Sequence, residues 1–110
     1  MMKSFFDSLP DMECLSGDTL GTFCISPKEG SFSGCRMQVI VASCRSPKVI
    51  SVCKECTLSQ GIFRVTLTSE DTKPLGEGMY TLHFRLIDSA GLSYRKLAGK
   101  LYVHQVADGI

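Results

Sequence analysis

The second half of the chain contains three stretches in which apolar and polar residues alternate. The apolar positions are Phe63, Val65 and Leu67 in the first stretch, Tyr80, Leu82, Phe84 and Leu86 in the second, and Leu97, Gly99, Leu101 and Val103 in the third. A period of two is typical of a β-strand that buries one face. We therefore expect three antiparallel strands between Gly61 and Gln105, with intervening residues such as Ala98 on the opposite face.

Turn signals separate these stretches. Asp88-Ser-Ala-Gly91 lies between the second and third strands, where Gly91 is free to adopt a positive φ, so it predicts a hairpin turn. Ser69-Glu-Asp-Thr72 predicts one short helical turn, capped by Thr68 or Ser69, with acidic residues near its positive end. Pro74 and Gly76 follow and end it.

The first half of the chain supplies further strands. Gly17–Ser26 reads as the first, Arg36–Cys44 as the second and Lys48–Leu58 as the third. Arg36–Cys44 has apolar residues on both faces, which favours a central position in a sheet. Short strands with turn signals every 8–12 residues and almost no helix predict an all-β fold. The expected architecture is an immunoglobulin-like antiparallel β-sandwich of about 7 strands with one short helical turn.

The domain organisation is simple. A chain of 110 residues forms one packed core, which we assign to residues 17–110. Residues 1–16 lack periodicity and are predicted to form an N-terminal arm. Its apolar residues Phe5, Phe6 and Leu9 are candidates for contact with a partner subunit, or for packing back on the domain. We expect deletion of residues 1–13 to distinguish the two, by its effect on oligomers and on monomer stability.

Bulk properties exclude several classes of function. The net charge of +1 does not suggest binding to nucleic acid or to a membrane surface. No apolar run approaches the roughly 18 residues that span a bilayer. Residues 1–10 are a poor signal peptide because Asp7 interrupts their apolar stretch, so we expect synthesis and initial residence in a cytosol.

The cysteines are the first candidates for chemistry, and there are six of them: Cys14, Cys24, Cys35, Cys44, Cys53 and Cys56. In a secreted immunoglobulin-like adhesion module such a number would indicate disulfides. Cys53-Lys-Glu-Cys56 has the spacing of half a zinc site, for which Cys44 and a distant fourth ligand complete the candidates. A redox pair would favour a helix N-terminus over this strand-like stretch. We expect instead reduced cysteines, with Cys24, Cys35 and Cys44 as small apolar core residues.

No catalytic motif is present, and we predict neither enzymatic activity nor a cofactor. Ser89, His83 and Asp88 would make a triad only by chance among many serines. Glu70, Asp71 and Glu77 are interpreted as a solvated acidic turn rather than a calcium loop. A modest basic face is expected from four residues: Arg85, Arg95, Lys96 and Lys100.

One motif spans the central stretch. It consists of Val65-Thr-Leu-Thr-Ser-Glu-Asp-Thr72, then Gly78-x-Tyr80 opening a strand that ends in Asp88-x-x-Gly91, then Gly99-x-Leu101-x-Val103. This pattern resembles the immunoglobulin-like N-terminal domain of baseplate upper proteins of tailed bacteriophages and related small tail proteins. The resemblance extends over roughly residues 17–105 and is densest in the last 45 of them.

The resemblance implies a virion protein that is assembled in the cytoplasm of a host bacterium. It implies a structural adaptor of the tail or baseplate, present as a homo-oligomer, that binds other virion proteins. The motif residues have physical roles in the fold. Tyr80 buries its ring while its hydroxyl reaches a backbone group near the preceding corner, and Gly78 allows tight entry into the strand. Asp71 and Thr72 bond nearby backbone amides and hold the turn.

Overall fold

A computed structural model describes residues 11–27, 30–44 and 50–104 of the chain. These residues form eight strands and one helical turn. Their bounds are β1 Met12–Leu15, β2 Gly21–Ile25, β3 Arg36–Ser43, β4 Ile50–Glu55, β5 Thr57–Ser59, β6 Ile62–Leu67, α1 Ser69–Thr72, β7 Gly78–Ile87 and β8 Ser93–His104. Within the described ranges no helix is long and apolar enough to cross a membrane.

The strands form two sheets that face each other. The larger sheet has the order β1-β8-β7-β3-β4, and the smaller has the order β2-β6-β5. Every pair is antiparallel except β1 with β8, which is parallel. In immunoglobulin notation β8, β7 and β3 correspond to strands G, F and C, and β2, β6 and β5 to strands B, E and D. The predicted all-β sandwich is confirmed, with a parallel edge strand that the sequence did not indicate.

The interior contains the alternating apolar residues of β6 and β7, as predicted. Phe63, Leu82 and Phe84 are at most 1% exposed. The Phe32 ring packs on Phe63 at 5.0 Å between centroids, and Phe23 meets Phe84 edge to face at 6.5 Å. Burial of each such side chain contributes about 1.5–3 kcal/mol of transfer free energy. This apolar layer joins the two sheets.

Strand β8 departs from the predicted alternation at a bulge. Leu82 lies opposite Gly99 and His83 lies opposite Leu97, so Ala98 is an additional residue in β8. A β-bulge of this kind places two neighbouring residues on the same side of the sheet. Ala98 is therefore 2% exposed and part of the core, whereas the sequence placed it on the opposite face. The prediction was wrong there because alternation alone does not reveal a bulge.

The predicted N-terminal arm, residues 1–16, includes a strand that pairs with the domain. Met12–Leu15 pairs in parallel with β8, and Cys14 is buried in the core. Residues 15–18 form a turn, in which the Asp18 amide donates to the Leu15 carbonyl. The predicted first strand, Gly17–Ser26, accordingly begins only at Gly21. Phe5, Phe6 and Leu9 lie outside the described residues.

The predicted third strand, Lys48–Leu58, is divided between the two sheets. Its first described part is β4, an edge strand of the larger sheet, and its last part is β5 of the smaller sheet. Cys56 lies at the crossing, where its amide still donates to the Met37 carbonyl of β3 at 2.8 Å. Strand β3 lies between β7 and β4, which confirms its predicted position inside a sheet.

The corner before β7 has the predicted tyrosine contact. The Tyr80 ring is 9% exposed, and its hydroxyl donates a hydrogen bond to the Gly76 carbonyl at 2.8 Å. Gly78 has a φ of 147° at the start of β7, a value that side-chain-bearing residues rarely adopt. The hydroxyl therefore holds the loop that leads from α1 into the central strand of the larger sheet.

We predict that Tyr80→Phe destabilises the fold by about 1–2 kcal/mol, because the Gly76 carbonyl loses its buried donor. Thermal unfolding followed by circular dichroism should show a Tm lower by at least about 4 °C. Tyr102→Phe is the matched control, since the Tyr102 ring lies on the outward face of the sheet. Equal effects of the two substitutions would contradict a specific role for the Tyr80 hydroxyl.

Candidate interaction surface

The structure separates the candidate metal and redox cysteines. Cys53 is exposed and lies opposite Ile40, on the face of the larger sheet that points away from the smaller one. Cys56 is buried in the core, and Cys44 is exposed just beyond β3. Among the described residues no group of three or more His, Cys, Asp or Glu side chains could hold a metal ion. Cys53 and Cys56 therefore do not form a common site in this arrangement.

The environment of Cys56 favours its neutral thiol. Burial raises its pKa to about 12, and the adjacent Glu55 carboxylate contributes in the same direction. Burial also raises the pKa of the Cys14 thiol, with a smaller contribution from Asp18. A thiolate is the nucleophile and the metal ligand in cysteine chemistry. Both buried cysteines therefore act as packing residues at neutral pH. The sequence predicted core positions for Cys24, Cys35 and Cys44. Cys35 is partly buried against the core, but Cys24 and Cys44 are exposed, so the prediction was wrong for those two.

A polar contact joins the two sheets near α1. The Lys54 ammonium of β4 donates to the Thr66 carbonyl at 2.7 Å and to Asp71 Oδ2 at 2.8 Å. The same carboxylate oxygen accepts the Thr68 amide at 2.8 Å, which caps the helical turn. Partial burial alone would raise the pKa of Asp71, but the Lys54 and Thr68 hydrogen bonds lower it below its usual value.

The turn residues predicted from the motif act largely as expected. Asp71 bonds a backbone amide, whereas Thr72 donates to carbonyl groups, with Asp18 as its nearer acceptor at 2.6 Å. At the hairpin, Asp88 Oδ1 accepts the amides of Ala90 and Leu92, and Gly91 has a φ of 84°. Gly99 takes part in the bulge. These contacts hold loops in place.

The other predicted clusters do not assemble into a catalytic site. His83 Nε2 lies 2.8 Å from the Thr81 hydroxyl, five residues along the strand from Asp88. That separation is about 17 Å in an extended chain, too long for a triad with Ser89. The basic face is smaller than predicted. Lys96 lies opposite the core residue Phe84, on the inner face of the larger sheet, whereas Arg85 and Arg95 lie opposite each other on its outer face.

An exposed patch lies at the free edge of the larger sheet, and we call it the β1 patch. Its apolar members are Leu15, which is 41% exposed, Met79, which is 40% exposed, and the half-buried Tyr102. Its polar rim consists of Asp11, Glu13, Lys100 and His104. Strand pairing sets Tyr102 between Glu13 and Met79, and Leu15 beside His104. An aromatic ring and a methionine inside a charged rim are typical of protein interfaces.

The geometry of the β1 patch is well defined. His104 Nε2 lies 3.2 Å from Glu13 Oε2, and the His104 and Tyr102 rings are 4.6 Å apart. A shallow depression of about 200 Å³ lies beside Tyr102, between Met79 and Lys100. Its volume suits one protruding side chain of a partner.

Sequence analysis missed this patch because β1 had been assigned to the arm. The only sequence pattern that indicates strand β1 is the short alternation of Met12 and Cys14 with Glu13 and Leu15, which has the period of a strand. Four residues are too few for that signal to stand out. The sequence of this chain matches no family model and no curated protein.

We predict that the cysteine thiols of the native protein fall into a fast-reacting and a slow-reacting group. At pH 8 the exposed Cys24, Cys44 and Cys53 should react readily with iodoacetamide. Cys14 and Cys56 should react at least about 100-fold more slowly, because burial and a raised pKa suppress the thiolate. Peptide mass spectrometry after timed quenching measures each rate. Rapid native labelling of Cys56 would contradict its placement in the core.

A second prediction concerns Asp71. Asp71→Asn should lower the free energy of unfolding by about 1–2 kcal/mol at pH 7, because Lys54 and the Thr68 amide lose a charged acceptor. The folded-state pKa is lowered, so this stabilisation is present above the ordinary value of 3.8 and is lost as the pH falls through the folded value.

Urea titrations between pH 3 and pH 7 test this prediction. The difference between wild type and Asp71→Asn should shrink below about pH 4. Glu70→Gln removes an exposed carboxylate from the same helical turn and should change stability by less than about 0.5 kcal/mol. A difference that stays constant with pH would mean that the Asp71 charge does not stabilise the fold.

Proposed function

We propose that this protein is a non-enzymatic structural subunit that works by docking to other proteins. The observation that carries the proposal is the β1 patch, where the exposed Leu15 and Met79 lie with the half-buried Tyr102 inside a charged rim. The hydrogen bonds of Lys54, Asp71, Thr72 and Tyr80 lie outside this patch and hold the loops of the fold. A rigid sandwich that presents such a surface is suited to binding with little change of shape.

The proposed setting is the tail or baseplate of a tailed bacteriophage or prophage. This part of the proposal depends on the resemblance of the Asp71-Thr72, Gly78-x-Tyr80 and Asp88-x-x-Gly91 pattern to small tail proteins. In that setting the chain is an adaptor that contacts other virion proteins and further copies of itself. It is assembled in the host bacterial cytoplasm and becomes part of the virion.

The proposed mechanism uses the edge position of β1. Leu15 projects beside the depression next to Tyr102, so a partner that covers both residues removes apolar surface from water. Glu13 and Lys100 at the rim then select a partner of complementary charge. Copies joined head to tail through such a surface close into a ring when the rotation between them allows it. Phe5, Phe6 and Leu9 remain predicted contact residues.

We predict that Leu15→Glu weakens self-association at least about 10-fold, because a charge replaces one of the exposed apolar side chains of the patch. Native mass spectrometry over a concentration series, in non-reducing buffer without chelator, measures the oligomeric state. Leu92→Glu is the matched control, since Leu92 is 58% exposed at the hairpin on the opposite end of β8. Equal association of wild type and Leu15→Glu would contradict docking through the β1 patch.

The same spectra test the alternative functions from the sequence. A metal-free mass with six free thiols after unfolding supports the adaptor. One bound zinc ion per chain would instead support a metal-binding function at Cys53 and its neighbours. A mass lower by pairs of hydrogen atoms would indicate disulfides, as in a secreted adhesion module.

A further inference from the structure

Two arginines lie directly opposite each other on the outer face of the larger sheet, the face that points away from the smaller sheet. They are the half-buried Arg85 of β7 and the exposed Arg95 of β8, and we call them the arginine pair. Opposite residues of an antiparallel ladder have Cβ atoms about 5 Å apart, and like charges in these positions destabilise a sheet. The arginine pair therefore lowers stability unless a negative charge lies beside it.

The described residues do not supply that negative charge. Two carboxylates belong to this end of the larger sheet, and both have other partners. Glu55 of β4 binds the Arg36 guanidinium at 2.9 Å, and Asp88 accepts two backbone amides of the hairpin turn. None of the ion pairs formed among the described residues includes Arg85 or Arg95. The positive charge of the arginine pair is therefore not balanced by this part of the chain.

Arg85 also has unused hydrogen-bonding capacity. Its Nε atom is buried and has no hydrogen-bond partner among the described residues. The same is true of Oε1 of Gln38, which lies opposite Arg85 on β3. The two atoms do not bond to each other although their residues are paired, so the Arg85 guanidinium is not engaged by its neighbour. A charged donor without an acceptor lowers stability further, and an external anion can supply the acceptor.

Carboxylates fit the arginine pair in geometry as well as in charge. A guanidinium presents parallel N–H donors that match the two oxygens of one carboxylate. In an extended segment, side chains two residues apart lie about 7 Å apart, a spacing that the long side chains of two neighbouring arginines can match. An open sheet face binds a single free anion weakly, whereas several carboxylates on one chain bind together. The site therefore suits an acidic protein segment.

Nucleic acid fits this surface less well. The net charge of the chain is only +1, and the Glu55 carboxylate belongs to the same row of paired residues as the arginine pair. Nucleic acids carry a phosphate at every nucleotide and are bound by broad basic surfaces. A protein segment can instead place a neutral residue beside Glu55. The charge pattern of the row therefore favours a protein ligand.

We propose that the arginine pair is a docking site for an extended, acidic segment of a partner protein. Aspartate or glutamate side chains of that segment bind Arg85 and Arg95 and so cancel the repulsion between them. About 20 Å of extended strand separate Arg85 from Met79 of the β1 patch, so the two surfaces are distinct. The inference goes beyond docking through the β1 patch and does not depend on it.

Fluorescence anisotropy with the full chain tests the proposal. The probe is a short labelled peptide of alternating Glu and Thr residues, and the control peptide has Gln in place of Glu. We expect the Glu peptide to bind at least about 10-fold more tightly than the Gln peptide. Its affinity should fall as the salt concentration rises, because salt screens exposed charges. Arg95→Gln should weaken binding at least about 5-fold.

Arg64→Gln is the matched control for this measurement. Arg64 is also an exposed arginine on a β-strand, but it belongs to the smaller sheet. We expect Arg64→Gln to bind the Glu peptide as wild type does. Circular dichroism of each variant checks that it is folded.

A second measurement separates docking from a role in holding the fold. Arg95→Gln removes one of two like charges, so it should raise the Tm of the free protein by about 1–4 °C. The Glu peptide should raise the Tm of wild type, because it binds only the folded chain. A residue that held the fold would lower the Tm when it is replaced.

Four results would overturn the proposal. The first two are equal binding of the Glu and Gln peptides, and unchanged binding by Arg95→Gln. The third is a lower Tm of the free Arg95→Gln protein. The fourth is a single-stranded DNA oligonucleotide that displaces the Glu peptide at equal concentration, since the site would then recognise phosphate. None of these results bears on the β1 patch, which Leu15→Glu tests separately.

Discussion

The sandwich depends on the apolar layer between its two sheets. The inward side chains of β3, β7 and β8 meet those of β2 and β6, and the largest of them are almost fully removed from water. Such a layer holds only if the chain crosses between the sheets without leaving backbone groups unpaired. At one such crossing the Cys56 amide donates a hydrogen bond to β3, and the Cys56 thiol packs in the core.

Polar contacts then fix the ends of the layer. Lys54 reaches from the larger sheet to the Thr66 carbonyl of β6 and to the Asp71 carboxylate that caps α1. Tyr80 holds the loop after α1, and Thr72 ties α1 to the turn before β2 through the Asp18 carbonyl. These bonds restrict loops that would otherwise be free, so the edges of the sheets are presented in constant positions.

The cysteines show why residue type alone is a poor guide to chemistry. Cys53 and Cys56 have the spacing of a metal half-site, yet one side chain lies on the outer face and the other in the core. A spacing of three residues reverses the face in an extended strand, whereas in a tight loop the same spacing brings two thiols together. The β1 patch instead comprises ordinary residues, Leu15, Met79 and Tyr102, which strand pairing brings to one face of the sheet.

The sequence by itself determined the strands β6 and β7, the helical turn and its cap, the hairpin at Asp88 and the tyrosine corner. These features depend on local periodicity and turn chemistry, which are readable over a few residues. Only the tertiary structure decided the parallel pairing of β1, the bulge at Ala98 and the crossing at Cys56. Each of these features depends on residues that are distant in sequence. Their register and packing cannot be read from a local sequence pattern.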